Sequence, residues 1–204
     1  MIDLRNLKRN YILEESKVIE LLGQIKDYSD ETFRHSIDVA NKAFEVGTQL
    51  NLDAESLKLL YTAALVHDVG KLKIKKEILH NTGTLSEEEF AEMKKHVLYS
   101  NEILEKYNFD QRICKLAFHH HEKLNGKGYP QGISELMILD KILTVCDIVS
   151  ALRLKRSYKD PYSYSKCEFI LKDMANKGEL DKNIVRLSLK NLKMQYRNRG
   201  SGRV

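Results

Sequence analysis

Apolar residues recur at helical spacing along almost the whole chain, and polar breakers divide them into segments. Over residues 3–26, Leu4, Leu7, Tyr11, Val18, Leu21, Leu22 and Ile25 predict a first helix or helix pair, closed by the polar string DYSDE. Asp30 is the expected N-cap of a second helix that carries Phe33, Ile37, Ala40, Phe44 and Gly47 on one stripe and ends near LNLD. Glu31 and His35, one turn apart, share a face of it. Asp53 is placed to cap a third helix, whose apolar face of Leu57, Leu60, Tyr61, Ala64 and Leu65 runs into VHDVGK, with Gly70 marking its end.

Downstream, SEEE reads as a capping box, with Ser86 as cap and Glu89 returning to it, and opens a helix that contains His96. Another helix begins near Asp110 and stops at a histidine cluster, followed by a loop with Asn-Gly and Gly-Tyr-Pro steps. The strongly apolar SELMILDKILTVCDIVSALRL predicts the next helix. Pro161 opens another segment, Asp181 caps a last one, and the closing RNRGSGRV has the composition of a frayed end. With only ten glycines and two prolines in 204 residues, and few alternating β-branched runs, the chain reads as an all-α protein of one domain.

Charge changes this picture little. The formal net charge is +5, but much of the excess lies in KNLKMQYRNRGSGRV. That suits an anionic ligand and argues against a dedicated nucleic-acid binder, which would interleave basic and aromatic residues on one surface. Cys114, Cys146 and Cys167 are widely spaced and odd in number, so neither a zinc knuckle nor a disulfide framework is indicated, and all three read as buried small residues. Charge interrupts the N-terminal segment every few residues, and no apolar run approaches spanning length. The expectation is a cytoplasmic protein with no membrane partner.

The histidines carry the chemistry. Three of the seven stand together at His119, His120 and His121, and the rest of a candidate set lies on separate elements: Glu31 and His35, His67 and Asp68, His96, and Asp147. All are metal-ligand types, and with cysteine missing from the set they favour six-coordinate iron or manganese over structural zinc. Neighbours on a helix diverge by roughly 100°. His67 and Asp68 are therefore expected to point at different ions, with the carboxylate bridging, and His120 and His121 to serve different ions of one cluster. His80 reads as a surface or loop residue.

HDVGK, followed downstream by HHEKLNGKGYP, resembles the HD-GYP family, a branch of the HD superfamily of metal-dependent phosphohydrolases, over about residues 30–165. The resemblance implies a multi-helix HD-domain bundle with a metal cluster in its core. The cluster would hold two to three ions and hydrolyse a 3′,5′ phosphodiester bond of a cyclic dinucleotide, typically cyclic di-GMP. Carried over residue by residue, it makes His35, His67, Asp68, His96, His120, His121 and Asp147 the metal ligands, with Asp68 bridging, and Glu31 the extra acidic ligand of three-ion members. Lys71, Arg156 and Tyr158 fall at positions near the substrate phosphates, and Gly126, Gly128 and Tyr129 in the signature loop. Asn125 stands where the loop usually has Asp, Ser150 where a second Asp usually follows Asp147, and Ser157 where Pro is usual. None of these three is a ligand. His119 is additional, open between a neighbour of the site and a surface residue.

The implied organisation is an N-terminal helical segment at 1–29, a catalytic unit at 30–175, and a C-terminal helix with a basic tail at 176–204. The expected mechanism uses a metal-activated hydroxide as nucleophile, with Lys71 and Arg156 stabilising charge on the phosphate. No GxxxxGK[ST] or GxSxG string offers a rival enzymatic chemistry. Two other readings stay open: a domain that binds a cyclic dinucleotide without hydrolysing it, and a general HD phosphohydrolase of other nucleotides. Signalling-protein partners and a homodimer are likewise left open.

Overall fold

A computed structural model describes residues 7–154 and 160–200, the last four as backbone. It contains helices and no strand among these residues: α1 Glu15–Tyr28, α2 Asp30–Gln49, α3 Ala54–Val66, α4 Lys76–Leu79, α5 Glu87–Lys94, α6 His96–Lys106, α7 Gln111–His119, α8 Ile138–Arg153, α9 Tyr164–Asn176 and α10 Lys182–Gly200. Short 3₁₀ turns occupy Arg9–Tyr11 and Val69–Lys73.

Helix α3 is the axis of the fold. Its residues from Leu59 to Val66 are buried without a break, as expected of a helix apolar all round. It packs against α2, α7, α8 and α1. The one buried phenol on it, Tyr61, accepts from the Lys8 backbone N–H at 3.1 Å, and Thr62 Oγ1 accepts from Leu13 N–H at 2.9 Å. The N-terminal segment is thereby tied to the centre of the bundle. Val18, Leu21, Leu22 and Ile25 of α1 and Ile184, Val185, Leu187 and Leu189 of α10 enter the same continuous core. The three cysteines are buried, as expected.

Several helix boundaries differ from the pattern-based reading. Ser29 caps α2, accepting from Thr32 N–H, so Asp30 is the first helical residue and the cap lies one position earlier. Helix α3 stops at Val66, short of Gly70, and Gly70 belongs to the 3₁₀ turn that follows. The segment from Ser86 onward is two helices, α5 and α6, broken at Lys95 although no glycine or proline is present there. Helical backbone continues to Gly200, well into the stretch read as frayed. The Asp53 cap, the Ser86/Glu89 capping box and the Asp181 cap are found where expected, and α7 begins near Asp110 as read, with Asp110 accepting from Arg112 N–H as its cap.

Candidate metal centre

Five elements deliver the candidate ligands: His35 from the middle of α2, His67 and Asp68 from the end of α3, His96 from the start of α6, His120 and His121 from the end of α7, and Asp147 from α8. All are buried except His121, which is partly buried. Their ligand atoms form three overlapping groups: His35 with His67 and Asp147, His67 with Asp68 and His120, and His96 with His120 and His121. Within each group the atoms lie within 4.8 Å of one another.

Adjacent residues come together in this arrangement. His67 and Asp68 face one group, with His67 Nε2 3.4 Å from Asp68 Oδ2. The 100° divergence does not apply because the helix has ended: Asp68 has φ −98° and ψ 8° at the start of the 3₁₀ turn. His120 and His121 likewise share a group with His96, their ring centroids 4.0 Å apart. His120 is the C-cap of α7, so the two rings leave the helix together.

Tautomers follow from the hydrogen bonds. His67 Nδ1 donates to Ala64 O at 2.8 Å, His96 Nδ1 to Met93 O at 2.7 Å, and His120 Nδ1 to Ala117 O at 2.6 Å. A backbone carbonyl can only accept, so each Nδ1 carries the proton and each Nε2 of a neutral ring presents a lone pair. His96 Nε2 and His120 Nε2 then face each other at 3.2 Å. Asp68 Oδ1 sits 3.3 Å from the first and 3.9 Å from the second, yet it hydrogen-bonds to neither. His67 Nε2 is also buried without a hydrogen-bond partner among the described residues. Lone pairs that converge on one another in a dry site are what a cation would satisfy, so these residues fit a metal cluster.

The electrostatics agree. Burial pushes the pKa of His96 down to about 4 and that of His121 to about 3, against partial opposition from Asp68 and Asp147 respectively. Burial and the neighbouring imidazoles hold His120 well below its ordinary value. Burial opposes ionisation of Asp68, but Lys71, His67 and His96 together outweigh it and keep the carboxyl well below the usual range. For Asp147, burial is likewise overcome, chiefly by His35, whose Nε2 lies 2.8 Å from Oδ1. His67 goes the other way: burial opposes its charged form, but Asp68 and Asp147 raise its pKa. Neutral imidazoles at His96, His120 and His121 beside ionised carboxylates are the ligand forms that metals require.

Close backbone packing holds the parts together. A Cβ on Gly70 would fall 2.0 Å from His96 O and 2.4 Å from Ser100 N, so only glycine lets α6 run against the 3₁₀ turn. Ser100 Oγ accepts from Gly70 N–H at 2.9 Å and donates to His67 O at 2.7 Å, locking His96 against the His67–Asp68 pair. In the loop after α7, buried Glu122 accepts from Gln131 and Gly132 N–H through Oε1. A Cβ on Gly128 would strike Glu122 Cα at 2.4 Å. Gly126 has φ +71°. The two loop glycines thus act through the backbone, and Tyr129 is the loop residue that reaches the cavity, its ring 4.7 Å from that of His121.

A cavity of about 280 Å³ opens over the cluster. Glu31, His35, Lys71, His96, His121 and Tyr129 line it, with Phe90, Leu85 and the exposed His80 toward its rim. Glu31 shares this cavity but none of the three ligand groups. Lys71 donates from Nζ to Asp68 Oδ2 at 2.6 Å. Arg156 and Tyr158 lie outside the described residues. His119 is buried and pairs with Asp140 at 3.3 Å, a link between α7 and α8 outside the ligand groups. Sequence reasoning missed Ser100, whose only signal is its place one turn after His96, and the hydrogen bonds around Ser150, which require α2 and α8 to be side by side.

A family model described as HD domain matches residues 18–184. A 3'3'-cGAMP-specific phosphodiesterase 1 of Vibrio cholerae is 31% identical over 186 residues, 90% of this chain and 43% of that protein. A cyclic di-GMP phosphodiesterase of Thermotoga maritima is 33% identical over 150 residues, 71% of this chain and 41% of that protein. The chain thus spans less than half the length of these two curated relatives. The solved HD domain of the Listeria monocytogenes phosphodiesterase PgpH, in complex with cyclic-di-AMP, superposes with a TM-score of 0.66 at 19% identity, covering 91% of this chain and 99% of that one. At that identity the likeness is one of fold. With the match to the family model running through most of its length, the chain belongs to the HD domain family, and its HDVGK and HHE-to-GYP strings fit the HD-GYP superfamily.

Proposed function

We propose that this chain is a metal-dependent phosphodiesterase of cyclic dinucleotides, with cyclic di-GMP the first substrate to test. The observation that carries the reading is the 3.2 Å approach of His96 Nε2 and His120 Nε2, both committed by their Nδ1 protons to present lone pairs, with His96 lining an open cavity and His120 buried behind it. The substrate class draws support from the relatives named for 3'3'-cGAMP and cyclic di-GMP.

His35, His67, Asp68, His96, His120, His121 and Asp147 would hold two ions, and Glu31 would add a ligand for a third. The nitrogen and oxygen donor set suits iron or manganese. Such ions, when bound, supply a water nucleophile ionised near neutral pH and Lewis-acid charge at the phosphate. Asp68 would be the residue shared between ions, since Oδ1 faces His96 and His120 while Oδ2 faces His67 and Lys71. Lys71, released from Asp68, reaches the phosphate in the cavity, with Arg156 and Tyr158 as further contacts implied by the family resemblance. Tyr129 keeps its proton, since burial and then Asp147 and Asp68 raise its pKa, and it orients a phosphate oxygen by donating a hydrogen bond.

Incubation of the protein, reconstituted anaerobically with Fe²⁺ or with Mn²⁺, with cyclic di-GMP, 3'3'-cGAMP and cyclic di-AMP tests the reading. Chromatography should show conversion of at least one to a linear product, with Asp68→Ala inactive. Tight binding of a cyclic dinucleotide that stays intact would establish a binding module instead, and cleavage of mononucleotide substrates alone a general phosphohydrolase.

A further inference from the structure

His67, His96 and His120 are each oriented by a carbonyl three residues earlier in the chain. His35 sits in the middle of α2, where carbonyls are engaged in the helix, and is held differently. Its Nδ1 lies 3.1 Å from Ser150 Oγ on α8, Ser150 Oγ lies 2.6 Å from Asp38 Oδ2 on α2, and Lys42 Nζ lies 2.6 Å from Asp38 Oδ1. Ser150 is fully buried, and Lys42 compensates the charge of Asp38 at the outer end.

The direction of this chain of bonds is fixed by its far end. An ionised Asp38 only accepts, so the Ser150 hydroxyl hydrogen points to Asp38 and its lone pair faces His35. His35 Nδ1 must then carry a proton, which aims the Nε2 position at Asp147 Oδ1, 2.8 Å away, and the rest of its ligand group.

We infer that Asp38 and Ser150 are positioning residues for the metal centre, acting as a two-step relay that fixes the tautomer and the orientation of His35. The carboxylate that supports this ligand comes from α2 through a hydroxyl on α8. The inference rests on the proposed role of His35 as a metal ligand. It assigns the relay to one part of the cluster, because His35 belongs to the group with His67 and Asp147 and not to the group with His96, His120 and His121.

The test is equilibrium Mn²⁺ binding, followed by the electron paramagnetic resonance of free ion, for the wild type, Ser150→Ala, Asp38→Asn, the double variant and His35→Ala, with thermal unfolding of each metal-free protein. Ser150→Ala should weaken one class of Mn²⁺ site by about 10- to 100-fold and leave the other class unchanged. Asp38→Asn should fall at the lower end of that range because the amide keeps an acceptor for Ser150. The double variant should be no weaker than Ser150→Ala alone, as expected of residues acting in series. Wild-type affinities in both single variants would overturn the relay. So would equal weakening of all sites in step with a lower unfolding temperature, which would make Ser150 and Asp38 packing residues. A wild type that takes up no Mn²⁺ while remaining folded would instead overturn the metal-centre reading beneath it.

Discussion

Replacing Gly70 by alanine adds one methyl group at the point where α6 crosses the turn after His67 and Asp68. The new Cβ would lie 2.0 Å from His96 O, and ordinary contact begins at 3.4 Å, so α6 must retreat by about 1.4 Å. Its first residue carries the His96 ring, now 3.3 Å from Asp68 Oδ1 and 3.2 Å from His120 Nε2. The same retreat pulls Ser100 Oγ from its two bonds, at 2.9 and 2.7 Å. Overpacking costs about 1–3 kcal/mol and two buried hydrogen bonds about 1 kcal/mol each, so the metal-free protein should lose about 3–5 kcal/mol. A ligand displaced by more than about 1 Å should lower turnover about 100-fold or more. Urea unfolding of the metal-free protein, Mn²⁺ titration and turnover measure the three effects. Ser100→Ala serves as a comparison, because it removes the bonds without the clash and should lose only about 2 kcal/mol. If Gly70→Ala unfolds at the wild-type urea concentration and binds Mn²⁺ as tightly, α6 is not pinned against the turn and the account of why His96 meets Asp68 is wrong.

Acidification should destabilise the metal-free protein between pH 6.5 and about 4. His96 is depressed to about 4 by burial, so in that window the unfolded chain binds a proton that the folded chain refuses, and stability rises with pH by about 1.4 kcal/mol per unit for each such group. His121 adds to the slope, while His67, raised by Asp68 and Asp147 despite its burial, opposes it. Urea midpoints that stay level or rise from pH 6.5 to 5 would contradict this. Lys71→Ala should lower turnover by about 10-fold or more through loss of a charge-assisted phosphate contact, without lowering Mn²⁺ affinity, since the Nζ that competes for Asp68 Oδ2 is gone. Glu31→Ala should reduce the metal count by about one ion in elemental analysis if that carboxylate anchors a third site; an unchanged count would restrict the cluster to two.

Ligand identities were legible because several are adjacent in sequence, as in HDVGK and HHE, and helix starts were legible where a side chain closes its own cap, as at Asp53 and Ser86. What could not be read depends on approach between distant segments. The break at Lys95 has no local signal, since Lys95 keeps near-helical angles of −66° and −15°. The 3.4 Å approach of His67 Nε2 to Asp68 Oδ2 could not be read for a related reason: the 100° rule assumes a helix through both residues, and α3 ends at Val66. The Asp38–Ser150–His35 chain spans 115 residues in sequence, and at the sequence level Ser150 was visible only as a departure from the family pattern.

The placement of three histidines just beyond helix ends has a single physical cause. The last carbonyls of a helix have no N–H from a further turn, and a helix that stops in a buried place must find donors for them. His67 follows α3 by one residue, His96 follows α5 by two, and His120 follows α7 by one. Each turns its Nδ1–H back to a carbonyl three positions earlier. The same bond therefore supplies a donor at the helix end and chooses the tautomer that leaves Nε2 to face the cluster. A histidine inside a helix lacks that option, because the carbonyls around it are occupied. His35 is in that position, which is why it alone among these four relies on a hydroxyl and a carboxylate from side chains. The arrangement predicts an order of sensitivity: substitutions at Ala64, Met93 or Ala117 that keep the backbone intact should leave tautomers unchanged, whereas substitutions at Ser150 or Asp38 should release His35. Nitrogen-15 NMR of the imidazoles in the Zn²⁺-loaded protein reads the tautomers directly, and a His35 that keeps its Nδ1 proton in Ser150→Ala would refute the distinction.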